Sequence, residues 1–268
     1  MTPSRSPGEQ GETAMLTGLW RLFPARHVIR WGLTPRPHYA YCMYQAAALA
    51  KRLGITRISA LEFGVAGGNG LVAAEELAAW IYGELGVEFE IFGFDTGEGL
   101  PEPLDYRDLP YHWKAGFFRM DRAALERRLS SSRLVIGNVR DTVHSFLAEH
   151  RPAPIGCIFH DLDFYSSTRD ALQLLDAPSE NFLPRVFNYF DDIIGSDTVL
   201  YNDYVGQRLA IHEFNESHTT RKLARCYQFL RRKRRKLWQE QIFIFNDFLH
   251  PLYGRFVSEE NQQLPLGP

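Results

Sequence analysis

Residues 57–70 read Arg57-Ile58-Ser59-Ala60-Leu61-Glu62-Phe63-Gly64-Val65-Ala66-Gly67-Gly68-Asn69-Gly70, an apolar run that opens into four glycines within seven positions. The run predicts a strand over 57–63. Glycines at that density let a backbone turn sharply and come close to a ligand with no Cβ in the way. The Ala-rich, proline-free text behind them predicts a helix over 69–83. Strand, glycine turn and helix in this order open a nucleotide-binding α/β sheet, whereas the same glycines without the flanking elements would signify only a turn.

The pattern then repeats. Residues 87–94 predict a second strand ending at Asp95, and 134–136, 155–159 and 186–190 predict three more. Helices over 121–129, 141–149 and 167–175 separate the later ones. Repeated βα units specify an α/β fold, a doubly wound, mostly parallel Rossmann-like sheet with helices on both faces. Upstream, Pro37 suits a first helical turn and Gly54 a stop, so 38–53 form a helix placed to lid or buttress the first strand. Beyond Asp192, a helix over 198–214 and antiparallel terminal strands over 223–230 and 241–248 complete the chain. Residues 1–14, rich in Pro, Gly and polar groups, are expected to be a flexible tail. Residues 15–268 are expected to form a single domain with the N-terminal helical lid and a C-terminal elaboration.

Composition narrows the function. Across 268 residues, 30 Lys and Arg face 32 Asp and Glu, so no global field recruits nucleic acid or an anionic membrane. Cys42, Cys157 and Cys226 are widely spaced and show neither metal-binding nor disulfide cadence. No apolar leader or stretch of membrane-spanning length occurs, and a cytoplasmic protein without a membrane span is expected. One local exception is the basic stretch 221–236, which would suit a phosphorylated or nucleotide-linked acceptor or form a solvated hairpin. Homo-oligomerisation is compatible with all of this.

The chemistry-bearing groups fall at predicted strand ends. Asp95 has the carboxylate needed to accept both hydroxyl hydrogens of a ribose, and equally that of a loop anchor. Asp161 and Asp163 follow the fourth strand, Asp191 and Asp192 the fifth, and adjacent strand ends can gather such carboxylates. A hard cation would offset their repulsion and take their oxygens as ligands. His160, immediately before the first acidic pair, is a second proton acceptor near neutral pH. Trp113, Phe117 and Phe118 would pack in the core or cover a ligand.

Residues 62–68, the run Gly93-Phe94-Asp95-Thr96-Gly97-Glu98-Gly99-Leu100-Pro101, and Asp161-Leu162-Asp163-Phe164-Tyr165-Ser166-Ser167-Thr168 resemble the macrocin O-methyltransferase family. The likeness runs from about residue 39 to 192. It departs at 182–189, which lack the glycine pair usual before the second acidic pair. The resemblance implies a class I, S-adenosylmethionine-dependent, metal-assisted sugar O-methyltransferase. Glu62, Gly64, Val65, Ala66, Gly67, Asn69 and Gly70 would then surround the methionine part of the cofactor, and Asp95 would hold its ribose. Asn138, Val139 and Asp141 would border adenine, although Asp141 equally suits a helix cap. Asp161, Asp191 and Asp192 would ligate Mg2+, with Mn2+ as the other fit, and Asp163, or else His160, would take the proton of a hydroxylated small-molecule or glycan-precursor acceptor. Tyr165, His212, Asn215, His218, His250 and Tyr253 are candidates for the acceptor pocket. Two other readings stay open on the residues alone, a metal-dependent nucleotide-sugar glycosyltransferase and a non-enzymatic adenosine-ligand-binding scaffold.

Overall fold

The computed structural model describes residues 19–231 and 236–263. The expected tail, 1–14, and Arg232, Lys233, Arg234 and Arg235 of the basic stretch lie outside the described residues. Helices α1 (Ala25–Trp31) and α2 (Pro37–Leu53) precede strand β1 (Arg57–Phe63), and α3 (Asn69–Leu85) leads into β2 (Glu88–Asp95). There follow α4 (Arg122–Glu126), β3 (Arg133–Ile136), α5 (Val139–His150), β4 (Ile155–His160), α6 (Tyr165–Leu172), β5 (Phe182–Phe190), α7 (Gly206–Ser217), β6 (Arg221–Arg225) and β7 (Ile242–Asp247). The strands form one sheet in the order β3-β2-β1-β4-β5-β7-β6. The first five are parallel, and β7 runs antiparallel to both β5 and β6. This is the mostly parallel, doubly wound sheet that the βα repetition specifies.

The period-two pattern of the central strands sorts side chains into two apolar layers. Ile58, Ala60, Cys157 and Phe159 pack with residues of α1, α2 and α3. Leu61, Phe63, Ile158 and Phe190 pack on the other face with residues of α5, α6 and α7. Helix α2 begins with Pro37, ends at a left-handed Gly54, and lies against β1, β4 and β5 as a buttress of the sheet. Its Tyr39 ring stacks on Phe159 with centroids 3.7 Å apart.

Three expectations shift. Helix α5 starts two residues before Asp141 because the Asn138 side chain accepts from the Arg140 N–H at 3.0 Å, which makes Asn138 the cap and leaves Asp141 exposed in the first turn. Helix α7 starts at Gly206, not at 198, because Val199 and Val205 instead form a small apolar cluster with Leu109 of the long loop after β2. Strand β6 stops at Arg225, with a 3-10 turn over Tyr227–Arg231, so β6 and β7 pair without a tight hairpin.

At the end of β1 the chain must pass hard against β4. The Asp161 N–H donates to the Phe63 carbonyl at 2.8 Å, and Gly64, at φ 85°, lies so close that a Cβ there would sit 1.9 Å from the Asp161 carbonyl oxygen. Gly67, in the same turn, has open space around its Cβ position. Gly64→Ala is therefore expected to cost about 2 kcal/mol or more by urea denaturation, from overpacking and positive-φ strain together. Gly67→Ala should stay within about 0.5 kcal/mol of wild type. Equal losses at the two positions would refute this assignment of the turn.

Candidate active site

The carboxyl ends of the five parallel strands open into a cavity of about 340 Å³. Gly64 and Ala66 reach it from the turn after β1, Asp95 from β2, and Gly137, Asn138 and Val139 from the start of α5. Asp161 and Asp163 enter after β4, and Asp191 and Asp192 after β5. This is the crevice that doubly wound sheets form, because consecutive crossovers leave the strand ends on one side. Trp113 and Phe118 line it from the long connection between β2 and β3. Phe117 is exposed.

Asp95 is both lining and anchor. Its Oδ2 accepts from the N–H groups of Val65 and Ala66, each at 2.9 Å, and its Oδ1 from Gly97 N–H at 2.7 Å. An ionised carboxylate offers about four lone-pair sites, so Oδ1 keeps capacity for a ligand hydroxyl. Other residues of the glycine motif serve the fold. Asn69 is exposed and accepts from Arg128 at 3.1 Å. Gly70 must lack a Cβ because Glu62 Oε1 would lie 1.9 Å from one. Glu62 is buried and accepts the Tyr39 hydroxyl at 2.7 Å, while its Oε2 has no partner. Burial pushes its carboxyl up to about 8. Glu62, Val65, Gly67, Asn69, Gly70 and Asp141 are thus not among the residues lining the cavity, while Gly64, Ala66, Asp95, Asn138 and Val139 are.

The four acidic residues come together as their strand-end positions imply. Burial, reinforced by Asp191 and Asp163, raises the Asp161 carboxyl to about 7, although its exposed surface opens onto the cavity. Burial and Asp191 raise Asp163 to about 7 as well. Asp192 is held well above the ordinary carboxylate range by burial and by the other three acids. Tyrosines satisfy part of this acidity. Tyr189 donates its hydroxyl to Asp191, and Tyr201 donates to Asp192 Oδ1 at 2.9 Å. Asp192 Oδ2 is buried with no hydrogen-bond partner. Gln207 accepts the Asp192 N–H at 2.9 Å and donates to the carbonyls of His160 and Leu162, binding the β4 and β5 ends together. The donor set, all carboxylate oxygen with one orphaned buried atom, fits a hard cation. Among the described residues, however, no group of three or more His, Cys, Asp or Glu side chains is arranged so that it could hold a metal ion, and the metal-ligand expectation for Asp161, Asp191 and Asp192 finds no support in the geometry.

His160 is not at the cavity surface. Its ring is fully buried, stacked 4.2 Å from Phe190 and bonded through Nε2 to Asn188 Oδ1 at 3.0 Å, and burial lowers its pKa to about 4. A second cavity of about 480 Å³ adjoins the first and shares Trp113, Asp191 and Asp192 with it. His38, His112, Tyr189, Tyr201, Trp238 and Gln241 are among its walls. None of Tyr165, His212, Asn215, His218, His250 and Tyr253 lines either cavity. Tyr165 instead donates to Glu213, His218 pairs with Asp176, and His250 is buried beside the Phe182 carbonyl. Sequence reasoning missed Tyr39, Tyr189, Tyr201 and Gln207. The one available cue was Tyr189, two residues before Asp191.

No protein-family model matches this sequence, and no curated protein matches it. Among solved structures, the chain is similar to the calicheamicin methyltransferase CalS11 at 21% identity and a TM-score of 0.50, over 90% of this chain and 93% of that one. It is similar to the O-methyltransferase NovP at 13% identity and a TM-score of 0.52, over 76% of this chain and 77% of that one. The fold is that of the class I S-adenosylmethionine-dependent methyltransferases.

The acid cluster has a titration consequence. Asp163 in the folded chain holds its proton up to about pH 7, whereas an unfolded aspartate releases it near pH 4, so ionising it costs stability progressively as pH rises through that window. Half-buried His38 and buried His160, with pKa values lowered by desolvation, act in the opposite direction, so the effect is read by difference. In divalent-free buffer, Asp163→Asn should gain stability over wild type, slightly near pH 5 and increasingly up to a plateau above about pH 7. A pH-independent difference in urea midpoints would contradict the burial of an ionisable Asp163.

Proposed function

We propose that this chain transfers the methyl group of S-adenosylmethionine to a hydroxyl oxygen of a small molecule, with a sugar or polyol as acceptor. The observation that carries the reading is one cavity edged by Gly64, Asp95 and Asn138 on one side and by Asp161, Asp163, Asp191 and Asp192 on the other. The ordered motifs that resemble those of the macrocin O-methyltransferase family support it, as does the likeness to two structures described as a methyltransferase and an O-methyltransferase.

In this reading Gly64 and Ala66 face the methionine part, Asp95 takes ribose hydroxyls, and Asn138 and Val139 border the adenine. Trp113 and Phe118 exclude water from the transfer path. Asp161, Asp191 and Asp192 would hold Mg2+ or Mn2+, once the tyrosine hydroxyls on the latter two give way. When bound, the metal supplies Lewis-acid polarisation of the acceptor oxygen and S-adenosylmethionine an electronically activated methyl carbon. The chain must align oxygen with that carbon and remove a proton. Asp163 is the base, because it lines the cavity with a carboxyl raised to about 7, whereas His160 is sealed in the sheet. The acceptor enters through the second cavity, which meets the first at Asp191 and Asp192.

Calorimetric titration with S-adenosylmethionine and S-adenosylhomocysteine, with and without Mg2+, tests the cofactor. Near-stoichiometric binding is expected, weakened about tenfold or more in Asp95→Ala, which loses a charge-assisted acceptor. No binding by the folded, metal-supplied protein would move nucleotide-sugar transfer ahead of methyl transfer. With an acceptor in hand, Asp163→Asn should lower kcat about 100-fold or more with cofactor affinity retained, and a normal kcat would remove Asp163 as the base.

A further inference from the structure

Helix α1 seats on the fold through buried Ala25, Val28 and Ile29, yet the same stretch of chain leaves Leu22, Phe23, Trp31 and Leu33 between 59% and 77% exposed. Lys236 extends this face. Its ammonium donates to the carbonyls of Trp31 and Gly32 at 3.1 and 3.2 Å, which brings its neighbour Leu237, 61% exposed, to the same end of α1. Single apolar side chains scattered over a surface are ordinary, whereas five large ones in one region mark a surface that something covers.

Charge says what that is. From Thr13 to Leu61 the sequence carries no Asp or Glu, while Arg21, Arg26, Arg30 and Arg36 fall within or beside the exposed stretch. The acids that α3 directs at it are already engaged, Glu76 with Arg21 at 2.8 Å and Glu84 with the Ala25 N–H and the Tyr44 hydroxyl. Arg26 is exposed and makes no ion pair among the described residues. We propose that this face docks on the surface of an anionic lipid bilayer, with Trp31, Leu33 and Leu237 entering the acyl boundary and the cations meeting headgroup phosphates. A second copy of the chain is the poorer occupant, since a two-fold interface would set the same cations against each other. RNA offers phosphates but no apolar phase for the leucines. No described helix is long and apolar enough to cross a membrane, so the contact is one of surfaces. Leu237 is also a wall of the second cavity, and docking therefore brings the mouth of that cavity to the headgroup layer. There, on the function proposed above, it would meet an acceptor hydroxyl carried by a lipid.

The test is co-sedimentation of the full chain with vesicles, which needs neither cofactor nor acceptor and so succeeds or fails separately from the methyl-transfer reading. Vesicles of phosphatidylcholine with about one-third phosphatidylserine should bind wild type about tenfold or more tighter than phosphatidylcholine alone, and added salt should shrink the difference. The double substitution Trp31→Ser, Leu33→Ser should lower affinity for the anionic vesicles about tenfold or more with an unchanged thermal midpoint, because both side chains are exposed. Arg26→Gln should lower it about fivefold. No binding to anionic vesicles, equal binding to both compositions, or undiminished binding by the double variant would overturn the proposal. A wild type that ignores vesicles and instead dimerises through Trp31 and Leu33, or is retained by RNA, would overturn it in favour of that partner.

Discussion

Three backbone N–H groups, those of Val65, Ala66 and Gly97, converge on the carboxylate of Asp95. This one interaction ties the turn after β1 to the end of β2 and fixes where the sheet edge opens. Charge-assisted bonds of this kind are stronger than neutral ones, and here they hold a loop that has no regular structure of its own. The Gly64 N–H donates to Phe94 and the Gly137 N–H to the Asp95 carbonyl, so the β2 end is stitched on both sides. The cavity inherits its shape from that knot. The carboxylate that lines the cavity after β2 is thus also the one that positions the turn beside it.

The opposite edge is built on the reverse principle. Asp191 joins three carboxyls, those of Asp161, Asp163 and Asp192, whose charge is disfavoured by burial and by the neighbouring acids, and tyrosine hydroxyls with Gln207 restrain the group. Perturbed acids in a cleft are characteristic of sites arranged for chemistry and not for stability. The contrast between the edges gives the cavity its asymmetry, with a carboxylate held by backbone donors on one side and crowded acids on the other. Trp113, Asp191 and Asp192 belong to both cavities, so a molecule in the second lies next to the acids that line the first.

Much of the fold is legible in the sequence because its signals are local. Residues 57–63 form a strand with the bounds that their apolar run implies, and Pro37 and Gly54 bracket α2 as their backbone preferences require. Strand ends carry the site, so locating the strands located Asp95, Asp161, Asp163, Asp191 and Asp192 as well. Local signals fail where partners are distant. Residues 198–205 carry helix-compatible text, but Val199 and Val205 are drawn to Leu109. Asn138 and Asp141 are both good caps, and only the turn's conformation decided between them. The histidines and tyrosines considered for an acceptor pocket lie elsewhere, because polar aromatic identity says nothing about which surface a residue reaches.

The sequence by itself determined the order of βα units, the glycine turn after β1, and the set of acids at the strand ends, since each follows from periodicity or backbone preference within a few residues. Tertiary structure alone decided that Asp95 anchors the turn it faces, and that His160 is stacked on Phe190 away from the cavity. It alone placed His38, Tyr189, Tyr201 and Trp238 around a second cavity, and brought Tyr39 to Glu62. The physical reason is the same in each case. These contacts join segments far apart in the chain, and whether a side chain meets a ligand or a neighbour depends on how the two layers pack on the sheet.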